Sequence, residues 1–232
     1  MQETHIDIGI PLGNKNTLGL LQKVSIPGLH YRPLLGVLKS ALADVTLLHF
    51  HFSPFKRFWK KPCGCKEHCF NELYTSDAWL KEHDQSQHQP NEPGCKFKEL
   101  ILGLMLWSDS THLANFGSVS GWPLYLYFGN SSKYFWGKLG LGASHHIAYI
   151  SLVSTCLCNS SVLQHSLILT NRFLTLHNAI PSDSQKASIL THCCCELMHG
   201  VWTKLPNDKF VKAYHHGFTM KCLDGVWHCI YP

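Results

Sequence analysis

The feature that most constrains the fold is a series of three apolar segments in the middle of the chain. They read "KELILGLMLWSD", "WPLYLYFG" and "SHHIAYISLV", and stretches that contain glycine and serine separate them. Apolar runs bounded by turn-forming residues are typical of strands that are buried in a sheet. The sequence therefore predicts a three-stranded meander with a buried centre.

Helical and hairpin patterns flank these segments. Leucines recur at helical spacing from about Pro33 to Ala43, which predicts a helix there. A second helical region is predicted over residues 188–216, with a break forced by Pro206. Asp224 and Gly225 stand between two alternating segments and predict a hairpin turn. The predicted fold class is α+β.

Three further elements are predicted in the first part of the chain. The alternating "HIDIGI" indicates an edge strand, and "VTLLHFHFSPF" indicates a strand with Leu48, Phe50 and Phe52 on one side. "TSDAWLKEHDQSQ" predicts a helix capped near its threonine, serine or aspartate, followed by a polar linker at 88–94. We therefore divide the chain into an accessory region, 1–92, and a second region, 93–232.

The basic residues form one conspicuous cluster. The chain carries 20 Lys and Arg against 15 Asp and Glu, a formal charge of +5, which is compatible with a polyanionic partner. "PFKRFWKKPCGCK" mixes basic and aromatic residues, a composition suited to holding phosphates and stacking bases. The alternative is a solvated loop whose aromatic residues are anchored in the core. The candidate nucleic-acid-binding residues are Lys56, Arg57, Lys60, Lys61 and Lys66.

Eleven cysteines raise the question of disulfides or metal. The N-terminus lacks the pattern of a secretory signal, so we expect mostly free thiols, and no apolar run reaches the roughly 18 residues of a membrane span. "CGCKEHC" offers Cys63, Cys65, His68 and Cys69, but a second ligand pair at zinc-finger spacing is missing. We therefore do not expect a structural zinc ion, although a small zinc-binding interaction module remains one alternative.

Asp109 is the candidate catalytic residue and metal ligand. It follows the first apolar segment directly, and the next acidic residue in the chain is Asp183. A carboxylate at the end of a rigid strand is held in place and can reach a metal ion at the surface. The alternative is that Asp109 caps a turn through Ser110 and Thr111.

Several motifs, in order, carry a resemblance to a known family. "IPGLHYRPL", "HFHFSPFKRFW" and "ELYTSDAWLKEHD" precede "PGCKFKELILGLMLWSDSTHLANFGSVSGWPLYLYFGNSSKY" and "ASHHIAYI", and "THCCCELMHGVWTKLPNDKFVKAYHHGFTMKCLDGVWHCIYP" ends the series. Together they resemble the Plavaka-type transposases of fungal genomes, in the Kyakuja-Dileera-Zisupton group. A more distant likeness is to the plant CACTA-type transposases.

The resemblance implies a cut-and-paste DNA transposase with a ribonuclease H-like domain. In such enzymes an acidic triad holds two divalent metal ions, Mg²⁺ or Mn²⁺, for in-line attack on phosphodiesters. By its place in the motif, Asp109 would be the first acid. The implied partners are transposon-end DNA and full-length transposase subunits, with no membrane, and the implied compartment is the nucleus.

The sequence also departs from the family pattern. The second and third acids of the family follow the final Tyr-Pro and are absent here, while Asp208 and Asp224 are assigned to a helix start and a hairpin turn. Residues 151–188 resemble frame-shifted coding sequence, and the alternative is a genuine loop or helix. We therefore expect a truncated fragment, holding the opening half of the ribonuclease H-like domain, that is inactive alone. The alternative class is a non-catalytic, transposon-derived DNA-binding or regulatory protein.

Overall fold

The computed structural model describes residues 1–11, 21–88, 96–109, 111–112, 120–150 and 183–232. The chain divides into two compact units, each built from three segments. Unit 1 comprises Met1–Arg32, Ser108–Leu124 and Ala148–Leu205. Unit 2 comprises Pro33–Trp107, Tyr125–Ile147 and Pro206–Pro232.

The described part of the chain is a mixed α+β fold, as predicted. Its helices are α1 Leu34–Leu42, α2 Asp77–His88, α3 Lys133–Trp136, α4 Asp183–Lys204 and α5 Asp208–His216. Its strands are β1 Gln2–Pro11, β2 Leu21–Tyr31, β3 Phe58–Lys60, β4 Lys66–His68, β5 Lys98–Ile101, β6 Leu104–Ser108, β7 Thr111–His112, β8 Ser120–Phe128, β9 His145–Ile150, β10 Phe218–Lys221 and β11 Trp227–Tyr231. In the ranges described, none of the helices has the length and apolar character needed to span a membrane.

Unit 1 is organised around the antiparallel pair β1 and β2. Strand β1 contains the predicted edge strand and is longer than predicted, whereas β2 was not predicted. Alternation buries Ile6, Ile8 and Ile10 on one face of β1, and Ile26 and Val24 lie opposite the first two of them. Helix α4 packs on this strand. The apolar period of two therefore specifies which face of β1 meets the helix.

A close contact fixes helix α4 against strand β1. A Cβ on Gly200 would lie 2.1 Å from Cγ2 of Ile6, so only glycine allows the backbones to approach this closely. About two helical turns before Gly200, His192 donates a hydrogen bond from Nε2 to the carbonyl oxygen of Gly9, 2.9 Å away. Apolar packing and a side-chain bond to the strand backbone thus hold the two elements in register.

Unit 2 begins with helix α1, which matches the predicted helix to within a residue at each end. Leu34, Leu38 and Leu42 are buried, as their spacing requires. The strand predicted over "VTLLHFHFSPF" is wrong, because Val45–His49 forms a 3₁₀ helix and Leu48 is 72% exposed. The reason is local, since the Asp44 carboxylate accepts a hydrogen bond from the Thr46 amide at 2.9 Å.

The first apolar segment forms two strands rather than the single one predicted. Strand β5 ends at Ile101 and β6 begins at Leu104. A Cβ on Gly103, between them, would lie 2.4 Å from the Trp79 ring, and the Gly103 amide donates to Oδ1 of Asn130 at 2.9 Å. This close packing bends the chain, so that β5 leaves the meander and joins another sheet.

The remaining segments of the predicted meander keep their order. Strands β6, β8 and β9 are neighbours in the order β9-β8-β6, and β2 pairs with β9 in unit 1. The burial of β6 differs from the prediction, because Leu106 and Trp107 are exposed by 37% and 63%. Leu126 and Ile147 are fully buried, so the buried centre lies on β8 and β9.

The C-terminal part of the chain follows the sequence prediction closely. Helices α4 and α5 are separate, with Pro206 between them, and Asn207 caps α5 by accepting a hydrogen bond from the Phe210 amide at 3.0 Å. Strands β10 and β11 form the predicted antiparallel hairpin, and Gly225 adopts φ +77° in its turn. Strand β11 also pairs in parallel with β5.

Two sequence predictions fall on residues outside the described ranges. The polar linker predicted at 88–94 lies there except for its first residue, which ends α2. Most of the segment interpreted as frame-shifted, 151–188, also lies there, and helix α4 begins at Asp183.

Candidate functional site

The basic aromatic stretch predicted to bind nucleic acid forms a short β-hairpin in unit 2. Strands β3 and β4 pair antiparallel, and the Lys61 amide donates to the Cys65 carbonyl at 2.9 Å across the tip. Gly64 adopts φ +84°, a left-handed conformation that the tight turn requires and glycine supplies. The Cys69 amide donates to the Arg57 carbonyl at 2.8 Å and extends the pairing beyond the strands.

The register of the hairpin sorts its side chains onto two faces. Phe58 lies opposite His68, and Lys60 lies opposite Lys66, so these four side chains share one face. Trp59 lies opposite Glu67 on the other face. The candidate residues that are contiguous in sequence are therefore divided by the alternation of the strands.

The positive charge of the hairpin is concentrated on the first of these faces. Lys61 pairs with Glu67, with Nζ 2.6 Å from the carboxylate, and Lys56 pairs with Asp77 at 3.2 Å. Lys60 and Lys66 face each other and are exposed, and no carboxylate within the described residues lies in salt-bridge range of either. Like charges directly opposite each other destabilise a strand pair, which an anionic ligand would relieve.

Arg57 lies beside the hairpin and completes the predicted basic set. It is exposed and, like the lysine pair, has no ion pair with a described carboxylate. The structure thus places all five predicted basic residues on one hairpin or directly before it. Of these, only Arg57, Lys60 and Lys66 have no neutralising acid in the part of the chain that the structure describes.

The aromatic residues of the stretch are not anchored in the core, so that alternative is wrong. Phe55, Phe58 and Trp59 are 45%, 53% and 55% exposed. A two-stranded hairpin forms no core of its own, so many of its side chains can stay in contact with solvent. Only Phe55 packs on a buried ring, with its centroid 5.7 Å from that of Tyr74.

Two aromatic residues on this hairpin, His68 and Phe70, were not selected from the sequence as candidates for nucleic-acid binding. The ring centroid of His68 lies 5.5 Å from that of Phe58 and 4.1 Å from that of Phe70, which is 66% exposed. His68 Nδ1 is 3.9 Å from Asp77, and its Nε2 is buried without a hydrogen-bond partner in the structure. The alternation of "KEHCF" after the turn was the signal that could have identified them.

The three cysteines in and directly after the hairpin are free thiols. Cys63 and Cys65 are exposed, and Cys69 is half-buried. Hydrogen bonds from the backbone and side chain of Cys65 lower the pKa of the Cys63 thiol. Among the described residues no three His, Cys, Asp or Glu side chains are grouped so that they could hold a metal ion.

Asp109 stands where the sequence predicted it, directly after a strand. It is exposed and lies between β6 and β7, and both of these strands pair with β8. Just before it, Ser108 donates a hydrogen bond from Oγ to the Pro123 carbonyl at 3.0 Å, which ties the end of β6 to β8. The turn-cap alternative involves Ser110, which lies outside the described residues.

The other acids considered from the sequence have local structural roles. Asp224 sits in the β10–β11 turn, where its carboxylate accepts hydrogen bonds from the Val226 amide at 2.9 Å and from His228 Nε2 at 2.8 Å. Burial raises the pKa of Asp224, but these hydrogen bonds and the charge of His228 together hold it below its usual value. Asp208 is the first residue of α5, where its negative charge interacts favourably with the positive end of the helix dipole.

Carboxylate oxygens suit Mg²⁺ and Mn²⁺, so Asp109 is chemically fit to be one ligand of such an ion. A two-metal centre needs several such ligands. Since the described residues bring no group of three potential ligands together, they do not fit a complete centre by themselves.

Comparison with protein-family models identifies a family for this chain. The family model described as Plavaka transposase matches residues 23–232, nearly the whole chain. Neither the curated proteins nor the solved structures that were searched gave a match. The matched range includes both the basic hairpin and Asp109.

Proposed function

Because this chain belongs to the Plavaka transposase family, we propose that it acts in DNA transposition and binds DNA through the hairpin formed by β3 and β4. The observation that carries the proposal is the exposed pair Lys60 and Lys66, directly opposite each other and without an acidic partner among the described residues. Lysine ammonium groups in this position attract phosphates and release the counterions condensed on DNA.

Salt-dependent binding of the full chain to a duplex of random sequence tests this proposal. The change is Lys60→Ala with Lys66→Ala, and the matched control is Lys209→Ala with Lys212→Ala, which removes two exposed lysines from α5. Loss of two phosphate contacts should weaken binding and flatten the plot of log affinity against log salt by about 1.8 units. The control variant should keep the wild-type slope. Equal slopes for all three proteins would contradict the proposed interface.

For catalysis, we propose that Asp109 is the first acid of a ribonuclease H-like centre that cleaves and joins DNA with Mg²⁺ or Mn²⁺. Its exposure, its position after β6 and its place in the family motif support this role. Further carboxylates are needed to complete such a centre, and the described residues do not group them with Asp109. The chain alone should therefore be inactive.

Nicking of supercoiled plasmid in Mn²⁺ measures this expectation. We expect no cleavage by the wild-type chain or by the variants Asp109→Asn and Asp208→Asn. Cleavage that Asp109→Asn abolishes and Asp208→Asn preserves would refute the proposed inactivity while supporting the role of Asp109. Cleavage that Asp109→Asn leaves unchanged would refute both.

A second candidate function is a non-catalytic one, in which the chain regulates transposition by competing for DNA ends or for transposase subunits. The hairpin favours it, because its binding chemistry is complete within the described residues, whereas that of Asp109 is not. Either role places the protein on chromosomal DNA, so we propose a nuclear location, which a fluorescent fusion would test. A regulator should reduce excision by an intact family member when both are expressed, and the lysine-pair variant should not.

A further inference from the structure

The hairpin carries a row of aromatic rings beside its lysine pair, and phosphate binding does not require these rings. Phe58, His68 and Phe70 follow one another at centroid distances of 5.5 and 4.1 Å. Lys60 and Lys66 continue the same face toward the tip. We call these five residues the hairpin platform.

We propose that the hairpin platform binds single-stranded nucleic acid, with Phe58 and Phe70 stacking on unpaired bases while Lys60 and Lys66 contact the phosphates. This inference rests on the proposed function and specifies the form of nucleic acid that the hairpin recognises. It adds the two phenylalanines to the basic residues as ligand-contacting groups.

The exposure of the rings is the first argument. Phe58 is 53% and Phe70 is 66% exposed, although both are large apolar side chains that gain free energy by leaving water. Neither ring is screened by the hairpin, because β3 and β4 form an isolated two-stranded sheet. The platform thus presents ring surface that a flat apolar group, such as a base, can cover.

The type of nucleic acid follows from what each form exposes. In a duplex the faces of the bases are stacked on each other, and only their edges and the phosphates are accessible. Side chains that read base edges in the major groove are hydrogen-bonding ones, chiefly Arg, Asn and Gln. The platform instead combines phenylalanines with lysines, the combination that binds unpaired bases and their backbone.

Charge selects this face of the hairpin over the opposite one. On the opposite face, Trp59 lies across from Glu67, whose carboxylate also neutralises Lys61. A carboxylate beside the ring would repel the phosphates of a strand stacked on Trp59. The lysine pair has no such acid in the described structure, and the carboxylate near His68, that of Asp77, is itself paired with Lys56. Exposed rings and lysines without an acidic partner therefore coincide on the platform.

His68 anchors the row to the rest of unit 2. Its side chain is only 14% exposed, and its Nδ1 lies 3.9 Å from the carboxylate of Asp77, the first residue of α2. The central ring of the row is thus held against a helix while the rings on either side remain in solvent. This arrangement positions Phe58 and Phe70 before any ligand arrives, which lowers the entropic cost of binding.

The test compares two probes on the full chain by fluorescence anisotropy. One is an oligothymidylate of about 16 nucleotides, a length near the upper limit of what one OB-fold domain covers on a single strand. The other is a duplex of about the same length and of random sequence. The wild-type chain should bind the single strand more tightly than the duplex. The variant Phe58→Ala with Phe70→Ala should bind the single strand at least roughly 30-fold more weakly, because it loses two stacking contacts. Its affinity for the duplex should not change.

Two control variants locate the effect. Trp59→Ala removes an equally exposed ring from the opposite face, and Tyr134→Ala removes one that is 71% exposed on α3. Neither should alter single-strand affinity. Lys60→Ala with Lys66→Ala should flatten the salt dependence of single-strand binding by about 1.4 units. Thermal unfolding of each variant establishes that it is folded.

The outcomes separate this inference from the proposed function. Binding of the duplex at least as tightly as the single strand, with no effect of the phenylalanine variant, would overturn the inference and leave DNA binding intact. A loss on Trp59→Ala instead would assign stacking to the opposite face and also overturn it. Failure of the folded wild-type chain to bind either probe would refute both proposals.

Discussion

Asn130 is the side chain on which unit 2 should depend most for its stability. It is fully buried two residues after the end of β8, and its Oδ1 accepts a hydrogen bond from the Gly103 amide at 2.9 Å. Its Nδ2 donates to the carbonyls of Ile101 at 2.9 Å and His51 at 3.3 Å. One amide therefore joins the bend between β5 and β6 to the segment that follows the first 3₁₀ helix.

The variant Asn130→Ala removes all three bonds and leaves their backbone partners without the amide. With a net value near 1 kcal/mol for each of the three bonds and a further penalty for groups left unsatisfied, the loss should be about 3–5 kcal/mol. The matched control is Asn207→Ala, which removes a single capping bond to the Phe210 amide. That change should cost only about 1 kcal/mol.

Urea unfolding followed by tryptophan fluorescence measures both variants. The proposed role of Asn130 is refuted if Asn130→Ala lowers the free energy of unfolding no more than Asn207→Ala does. This comparison requires that the slope of that free energy against urea concentration is unchanged. A second variant tests the chemistry, because Asn130→Asp keeps the acceptor for Gly103 but places carboxylate oxygen against two carbonyls. Burial should raise the pKa of the new carboxyl, so this variant should be strongly destabilised near neutral pH and recover as the pH falls and the group is protonated.

Three further results are expected. Gly200→Ala should destabilise the protein by about 1–3 kcal/mol, because the added methyl group overlaps buried Ile6. Gly36→Ala in α1 adds a methyl group that meets nothing within 4 Å and should stabilise the protein by about 0.5–1 kcal/mol. Thermal or urea unfolding that gave the two changes the same sign would contradict the packing argument. The lowered pKa of Asp224 predicts a contribution to stability that is present above its unfolded pKa, near 3.8, and is lost as the pH falls through the folded pKa, so Asp224→Asn should be less stable than wild type at pH 7 and equal to it in strong acid. Chelation with EDTA should leave the unfolding midpoint unchanged, whereas loss of about one zinc per chain together with folding would restore the zinc-module alternative.

Local sequence signals predicted the elements whose determinants are local. Helix α1 follows from leucine spacing, the separation of α4 from α5 follows from Pro206, and the β10–β11 hairpin follows from the Asp-Gly turn. In each case residues within a few positions decide the structure. The strand predicted over "VTLLHFHFSPF" failed for a related reason, since one aspartate before it supplies a cap that favours a 3₁₀ turn.

The bend that divides β5 from β6 could not be predicted, because its causes are distant in sequence. Gly103 is held by the ring of Trp79 and by the amide of Asn130, which lie 24 residues before it and 27 after it. The apolar pattern gives no sign of either contact. Tertiary packing therefore decided that one apolar run forms two strands that belong to different sheets.

The two candidate sites differ in how much of their chemistry the described chain supplies. For the hairpin, composition predicted the charges and rings, but only the register revealed that Lys60 and Lys66 share a face with Phe58, whereas Lys61 and Trp59 do not. For Asp109, sequence predicted the position, yet a single carboxylate is one ligand of a centre that needs several. The hairpin variants should therefore change the behaviour of this chain in isolation, whereas the role of Asp109 should become measurable only where further carboxylates complete its site.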